Sequence, residues 1–338
     1  MTVLAPYAEQ HKTTSGPNDS RPSAIQIIKD QDLVGKWTGK VVIVTGCSPG
    51  GLGPETARAF HIAGADVYIT VRDVAKGEEV VKDILSDGKP GKVEVIKLDL
   101  GSLESVRQGA KTFLSKSDKL NVLVNNAGVM ACPKGKTVDG FETQFGTNHL
   151  GHFLLFQLLK PTLLASSTPS FNSRVISVSS SGHRGGRINF EDFNFDHTVE
   201  YQPWAGYGQA KLANILFANE LDRRYGAKGL HALSLMPGGI ETPLQRHSPE
   251  ISVMIKDPHI AKIMKSTAQG AATSVWAAVA KEWEGKGGKY LENCAEAEQV
   301  APEAGMLAPG YAPTAFDPAA EKKLWIESLK MVGLEDDQ

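Results

Sequence analysis

From Lys40 onward, short β-branched runs alternate with helical stretches, and this alternation constrains the fold more than any other feature. The runs are VVIVTG (41–46), DVYITV (66–71), KVEVIKLDL (92–100), NVLVNNAG (121–128), RVISVSS (174–180), LHALSLMPG (230–238) and KYLENC (289–294). Helical stretches fall at 54–63, 74–86, 102–117, 141–165, 205–226 and 267–282. The runs are apolar throughout rather than alternating, as burial of both sheet faces under helices demands. This order predicts an α/β chain with a doubly wound parallel sheet. No repeat and no second core interrupts it, so one domain is expected at 38–338, preceded by an arm at 1–37. Residues 1–24, aperiodic and rich in Pro, Ser, Thr, Asn and Asp, read as a loose arm on the domain surface.

Several functions are excluded by composition. The 338 residues carry 36 Lys+Arg against 38 Asp+Glu, a net charge of −2, which argues against a nucleic-acid partner. Cys47, Cys132 and Cys294 are far apart and form no CxxC, so neither a disulfide framework nor a zinc knuckle is suggested. His149 and His152 have no thiolate or carboxylate at a matching spacing, so they read as packing residues and no metal is expected. The N-terminus lacks an apolar h-region. The most apolar stretch, 150–164, is interrupted by His152, Gln157, Lys160 and Pro161 and falls short of the ~20 residues of a span. A cytoplasmic protein without a membrane anchor is expected.

The first strand ends in Thr45-Gly46-Cys47-Ser48-Pro49-Gly50-Gly51-Leu52-Gly53 and enters a helix. Glycines here let the backbone turn and approach a ligand, and the helix start offers N–H groups and a positive dipole end to a diphosphate. In this position the pattern points to a dinucleotide, against the alternative of a tight turn. Arg72 closes the second strand where an NAD site usually has an acidic residue. A guanidinium there can pair with a 2′-phosphate, so NADP(H) is favoured over NAD(H), with Asp73 beside it keeping NAD open. Asp99 ends the third strand, either to accept from an adenine amino group or to cap the helix near Ser102. Asn125-Asn126-Ala127-Gly128 ends the fourth with small residues that allow close approach.

Tyr207 and Lys211 are four apart in a helical stretch and share a face. An ammonium beside a phenol stabilises the phenolate, so Tyr207 can exchange a proton with an alcohol or carbonyl oxygen. Ser180 ends the fifth strand, 27 residues earlier, and can bond the same oxygen; otherwise it is a turn residue. Asn148 is a polar amide on an apolar helix and needs a partner, for which a water joining Lys211 to solvent is one candidate.

Together these residues resemble the short-chain dehydrogenase/reductase family over about 38–295. The resemblance rests on the glycine turn, Asp99, Asn125–Gly128, Asn148, Val178-Ser179-Ser180, Tyr207…Lys211 and Pro237–Thr242. Asn148–Phe153 and Lys211–Phe217 are most similar to the retinol dehydrogenase and WW-domain oxidoreductase-like branch, and Gly310–Pro313 to its bacterial and fungal members. The resemblance implies a Rossmann-type fold with Tyr207 as acid/base, Lys211 lowering its pKa and holding the nicotinamide ribose, Ser180 orienting the substrate and Asn148 anchoring a relay water. It implies cofactor contacts at Gly46, Ser48, Gly51, Leu52, Gly53, Arg72, Asp99, Leu100, Asn126, Ala127, Gly128, Tyr207, Lys211, Pro237, Gly238, Ile240 and Thr242. A homodimer or homotetramer through 141–165 and 205–226 is implied, with a monomer as the alternative. Four residues, Cys47–Gly50, stand where the family has three, and Pro49 removes an N–H. Ala210 replaces a frequent Ser. The apolar anchor of many retinol dehydrogenases is missing, which speaks against a membrane-bound retinoid role.

The expected reaction is hydride transfer between NADPH and a carbonyl or secondary alcohol of a bulky apolar molecule, such as a polyketide, steroid or retinoid. A cofactor-binding protein without turnover and non-redox chemistry on the same scaffold are the alternatives. Two segments are expected to shape the substrate site. Residues 182–206, with Phe190, Phe193, Phe195, Tyr201 and Trp204, read equally as a loop with its own small core or as an aromatic pocket wall. Residues 243–266 read as a mobile lid or a fixed helical pair.

Overall fold

A computed structural model describes residues 3–301, 304–305 and 308–337. The seven expected strands form one parallel sheet: β1 (Val41–Thr45), β2 (Asp66–Val71), β3 (Val93–Lys97), β4 (Val122–Asn125), β5 (Ser173–Val178), β6 (Leu230–Met236) and β7 (Lys289–Glu292). A short β8 (Ala295–Glu296) returns antiparallel to β7. The order is β3-β2-β1-β4-β5-β6-β7-β8. Chain direction across the sheet reverses between β1 and β4, which opens a crevice at their carboxyl ends. β1 shows why the runs are apolar on both faces. Val42 and Val44 enter one core, with the helices Leu52–Ala63 and Ala272–Val279, while Val41 and Ile43 enter the other.

The expected 141–165 helix is not continuous. Thr143–Phe145 leads into a π-turn at Gly146–Leu150, closed by Gly151 N–H to Gly146 O, before Gly151–Ser166 resumes as α-helix. Such turns recur at functional sites, and this one contains Asn148. The stretch expected at 267–282 divides into Thr267–Gly270 and Ala272–Val279.

The N-terminal segment is integrated rather than loose. Ser23 caps a helix at Ala24–Asp30 by accepting from Gln26 N–H, and Ala24, Ile27 and Ile28 join the core. A C-terminal helix, Pro318–Met331, starts at Asp317, which accepts from Ala319 and Ala320 N–H. It lies across the helices Gly151–Ser166 and Pro203–Tyr225. Trp325 stacks on Phe217 at 6.0 Å and meets Phe153 edge-on at 5.1 Å. Every residue from Gly206 to Leu221 is buried within the single chain. The C-terminal helix thus packs on these two helices within the same chain.

Among the described residues no helix is long and apolar enough to cross a membrane. His149 and His152 are both engaged within the protein. His149 Nε2 bonds Ser328 Oγ at 2.8 Å, and His152 sits between Asn148 O and Thr45 Oγ1.

Candidate active site

A cavity of about 1840 Å³ runs along the carboxyl ends of the strands, from Arg72 past the glycine turn to Tyr207. Its first wall is the β1–helix turn. The additional residue is absorbed in a tight turn: Gly51 N–H bonds Ser48 O at 3.2 Å, and Gly50 takes the left-handed φ of 76°. With Pro49 in front of it, this is the residue pattern of a type II turn. The turn leaves Gly46, Ser48, Gly51 and Leu52 on the cavity wall, with the helix beginning at Leu52 instead of residue 54. Gly53 does not line the cavity. A Cβ there would lie 2.6 Å from Gly46 O, so its place is the close packing of helix on strand.

Thr45 holds the next wall. Its hydroxyl oxygen accepts from Asn126 N–H at 2.9 Å and Ala127 N–H at 3.0 Å. His152 completes the arrangement. Its Nδ1 faces the Asn148 carbonyl at 2.9 Å and must donate there, so Nε2 accepts from Thr45 at 2.9 Å. Burial lowers the His152 pKa to about 4, which keeps this neutral tautomer in place. The amide of Asn148 pairs with both main-chain groups of Val129, at 2.8 and 2.9 Å. Asn148 therefore does not line the cavity; it fixes the Asn126–Val129 segment from behind. Thr45 and His152 were missed as site residues, although Thr45 directly precedes the glycine turn.

At the far end from Tyr207, Asp73 caps the helix Val74–Leu85 by accepting from Ala75 and Lys76 N–H, and Arg72 faces the cavity. Ser102, not Asp99, caps the helix Leu103–Leu114. Asp99 accepts from Gly101 N–H at 2.9 Å and lines the cavity with Leu100.

Tyr207, Ser180 and Lys211 meet at the centre of the cavity. The Tyr207 phenol is buried and hydrogen-bonded to Ser180. Ser180 Oγ also accepts from Gly182 N–H at 3.1 Å. Its neighbour Ser179 bonds Lys211 O at 2.6 Å and is structural. Lys211 Nζ donates to Val178 O at 2.9 Å and stands 5.7 Å from the Tyr207 ring centre. Burial raises the phenol to about 12, with the Ser180 bond pulling the other way, and lowers the ammonium to about 8. By the pH at which this phenol would ionise, Lys211 is already neutral. Its charge acts on a transient phenolate only at lower pH. His183, also missed, ties this centre to the C-terminal segment: Nδ1 bonds Ser180 O at 2.6 Å and Nε2 accepts from Ala312 N–H at 3.2 Å.

Pro237, Gly238, Ile240 and Thr242 line the cavity beside Tyr207. Beyond them the walls carry the apolar side chains of Met130, Trp204, Leu244, Ile251, Met254, Ile260 and Ile263 together with polar ones from Gln245, Arg246, Glu250 and Lys265. Of the five aromatic residues between 182 and 206, only Trp204 lines the cavity, edge-on to Tyr207 at 5.8 Å. Phe190 and Phe193 pack on the main core, and Phe195 packs on Tyr201, so most of this loop fits the small-core reading.

Comparison with known proteins agrees with this geometry. The short chain dehydrogenase family model matches residues 40–193. The chain is 55% identical over 332 residues to short-chain dehydrogenase/reductase prx1 of Penicillium roqueforti, covering 98% of this chain and 96% of that one. It is 40% identical over 301 residues to human retinol dehydrogenase 13, covering 88% and 86%. A solved structure of a Mycobacterium paratuberculosis protein superposes with a TM-score of 0.66 at 36% identity, covering 88% of this chain and 95% of that one. The chain belongs to the short-chain dehydrogenase/reductase family, in its retinol dehydrogenase-like branch. It is a NAD(P)-dependent oxidoreductase.

Proposed function

We propose that the protein is a cytoplasmic NADP(H)-dependent enzyme that interconverts a carbonyl and a secondary alcohol on a bulky apolar small molecule. The observation that carries this reading is the meeting of Tyr207, Ser180 and Lys211 on one wall of a cavity of about 1840 Å³. That volume exceeds the few hundred to ~1,000 Å³ of ordinary small-molecule sites, leaving room for a dinucleotide and a second molecule.

The residues fit the cofactor. Gly46, Ser48, Gly51 and Leu52 would hold the diphosphate at the helix start, Arg72 a 2′-phosphate, Asp99 and Leu100 the adenine, Asn126–Gly128 the ribose side, and Pro237, Gly238, Ile240 and Thr242 the nicotinamide. Gly53 and Asn148 would act from behind this surface. When bound, the nicotinamide supplies or takes the hydride.

The protein's own part is the proton. Burial keeps Tyr207 protonated, and its O–H donates to the substrate oxygen as negative charge develops there. Ser180 offers a second hydroxyl to the same oxygen. The Lys211 ammonium, 5.7 Å from the ring centre, favours the resulting phenolate over the neutral phenol. Tyr207 would touch the reacting oxygen, whereas Asn148 would position the strand end. A monomer is the expected state, because the C-terminal helix occupies the face a partner would use.

The test mixes purified protein, NADPH and a panel of bulky and small ketones, and follows loss of reduced-nicotinamide absorbance. Turnover that vanishes in Tyr207→Phe is expected. Cofactor binding without turnover across the panel would instead favour a non-catalytic protein. Product formed without cofactor consumption would favour non-redox chemistry.

A further inference from the structure

The outer end of the cavity is closed by a segment far away in sequence. His11, Lys12, Thr14 and Arg21 of the N-terminal segment line it together with residues of the short helices Pro249–Met254 and Pro258–Ile263. Arg21 is the centre of this contact. Its guanidinium is buried and uses every edge: Nε pairs with Asp19 at 2.8 Å, one amino group donates to Ile263 O at 2.8 Å, and the other to Met264 O at 2.6 Å and Gly16 O at 3.1 Å. Ile263 and Met264 supply the last carbonyls of the second short helix, where a cation both bonds and complements the dipole. Gln269 binds the other side of the arm, donating to Asp19 Oδ1 at 3.0 Å and Arg21 O at 3.1 Å. Lys265, directly after Met264, donates from its backbone to Gly239 O at 2.8 Å and from Nζ to Pro237 O at 3.2 Å.

The first short helix has no such fastening. Neither short helix buries a residue, but among the described residues no side chain of the N-terminal segment bonds the first one, and its Val253 is 70% exposed. The segment expected as either a lid or a fixed pair is thus two unlike halves, one bolted at its end and one resting on the cavity mouth.

We propose that residues 11–21 form the outer wall of the substrate chamber and that Arg21 is a positioning residue, latching 258–264 so that the chamber keeps the shape a bulky substrate needs. The chamber's occupant rests on the function proposed above; the latch itself does not.

Arg21→Met removes the latch, and Arg21→Lys retains the charge without the fork. Limited trypsin digestion reads the latch directly, because Arg246, Lys256 and Lys262 fall in the two halves. In the wild type, cutting after Lys262 is expected to be slow relative to Lys256. In Arg21→Met it should speed up at least tenfold, and in Arg21→Lys by less. NADPH affinity, followed by nicotinamide fluorescence, should stay within twofold. KM for a bulky ketone should rise on the order of tenfold with kcat little changed, while kcat/KM for a small ketone is unaffected. Unchanged cutting after Lys262 overturns the latch. Equal losses for small and bulky ketones overturn the wall. Should Arg21→Met not fold, Arg21→Lys carries both readouts. If no ketone turns over, accelerated cutting after Lys262 still supports the latch, and the failure counts against the oxidoreductase reading alone.

Discussion

Lys211 has a thermodynamic cost that can be measured apart from turnover. Burial lowers its pKa from 10.5 to about 8. Between those two values the unfolded chain holds a proton that the folded chain has released, so folding stability rises with pH across that window. Below pH 8 both states are charged and the full desolvation cost is present; above 10.5 both are neutral and the cost is gone. Integrated from pH 7 to pH 10, the wild type should gain about 2.5 kcal/mol relative to a variant with no titrating group here. Lys211→Met is suitable because the Val178 carbonyl that Lys211 occupies keeps a second donor, Asn214 Nδ2 at 3.1 Å. Urea unfolding of both proteins at the two pH values gives the difference, in which other titrations common to both cancel. Turnover should fall at least ~100-fold in the variant. A stability difference that is flat with pH would mean that Lys211 is hydrated and that the wall around Tyr207 is not dry, which would undo the electrostatic argument for its role.

Other outcomes follow from the same geometry. The rate of carbonyl reduction should decline above about pH 8, as Lys211 loses its charge while Tyr207 remains protonated, and a pH–rate profile checks this. Arg72→Ala should weaken NADPH binding by about 10-fold or more and leave NADH binding nearly unchanged, measured by fluorescence titration, because a charge-assisted pair is lost only with the 2′-phosphate. Gly53→Ala should impair cofactor binding and lower stability, since its Cβ would be forced to within 2.6 Å of Gly46 O; thermal melts with and without NADPH report both effects. Trp325→Ala should cost about 3–5 kcal/mol. The wild type should elute with the mass of one chain in light scattering, and a stable wild-type dimer would refute the reading of the C-terminal helix as a cover.

The strands were legible because both sheet faces are buried, which leaves unbroken apolar runs such as 41–46. β8 was not, because its turn places Asn293 and Cys294 at positive φ, 56° and 53°, and a cysteine there carries no turn signal. The helix at Ala24–Asp30 had a readable start in Ser23 and Gln26, a serine followed three residues later by glutamine, but the polar composition around it outweighed that mark. Asp317-Pro318 announced the C-terminal helix in the same way. Tyr207, Lys211 and Ser180 were legible because one helix and one strand end place them. The Arg21 contact was not, since it joins side chain to backbone carbonyls more than 240 residues away, and carbonyls have no letter in a sequence. The five aromatic residues of 182–206 misled in part, because only the side chain of Trp204 turns towards the cavity.

The outer chamber is assembled largely from outlying stretches of chain, near residues 11–21, 244–264, 299–301 and 308–313, with Met130 and Trp204 beside them and the strand ends beneath. Proton chemistry and molecular taste are therefore carried by separate parts of the polypeptide. Drift or deliberate grafting in the peripheral stretches can retool what the protein accepts while the redox machinery beneath is inherited intact.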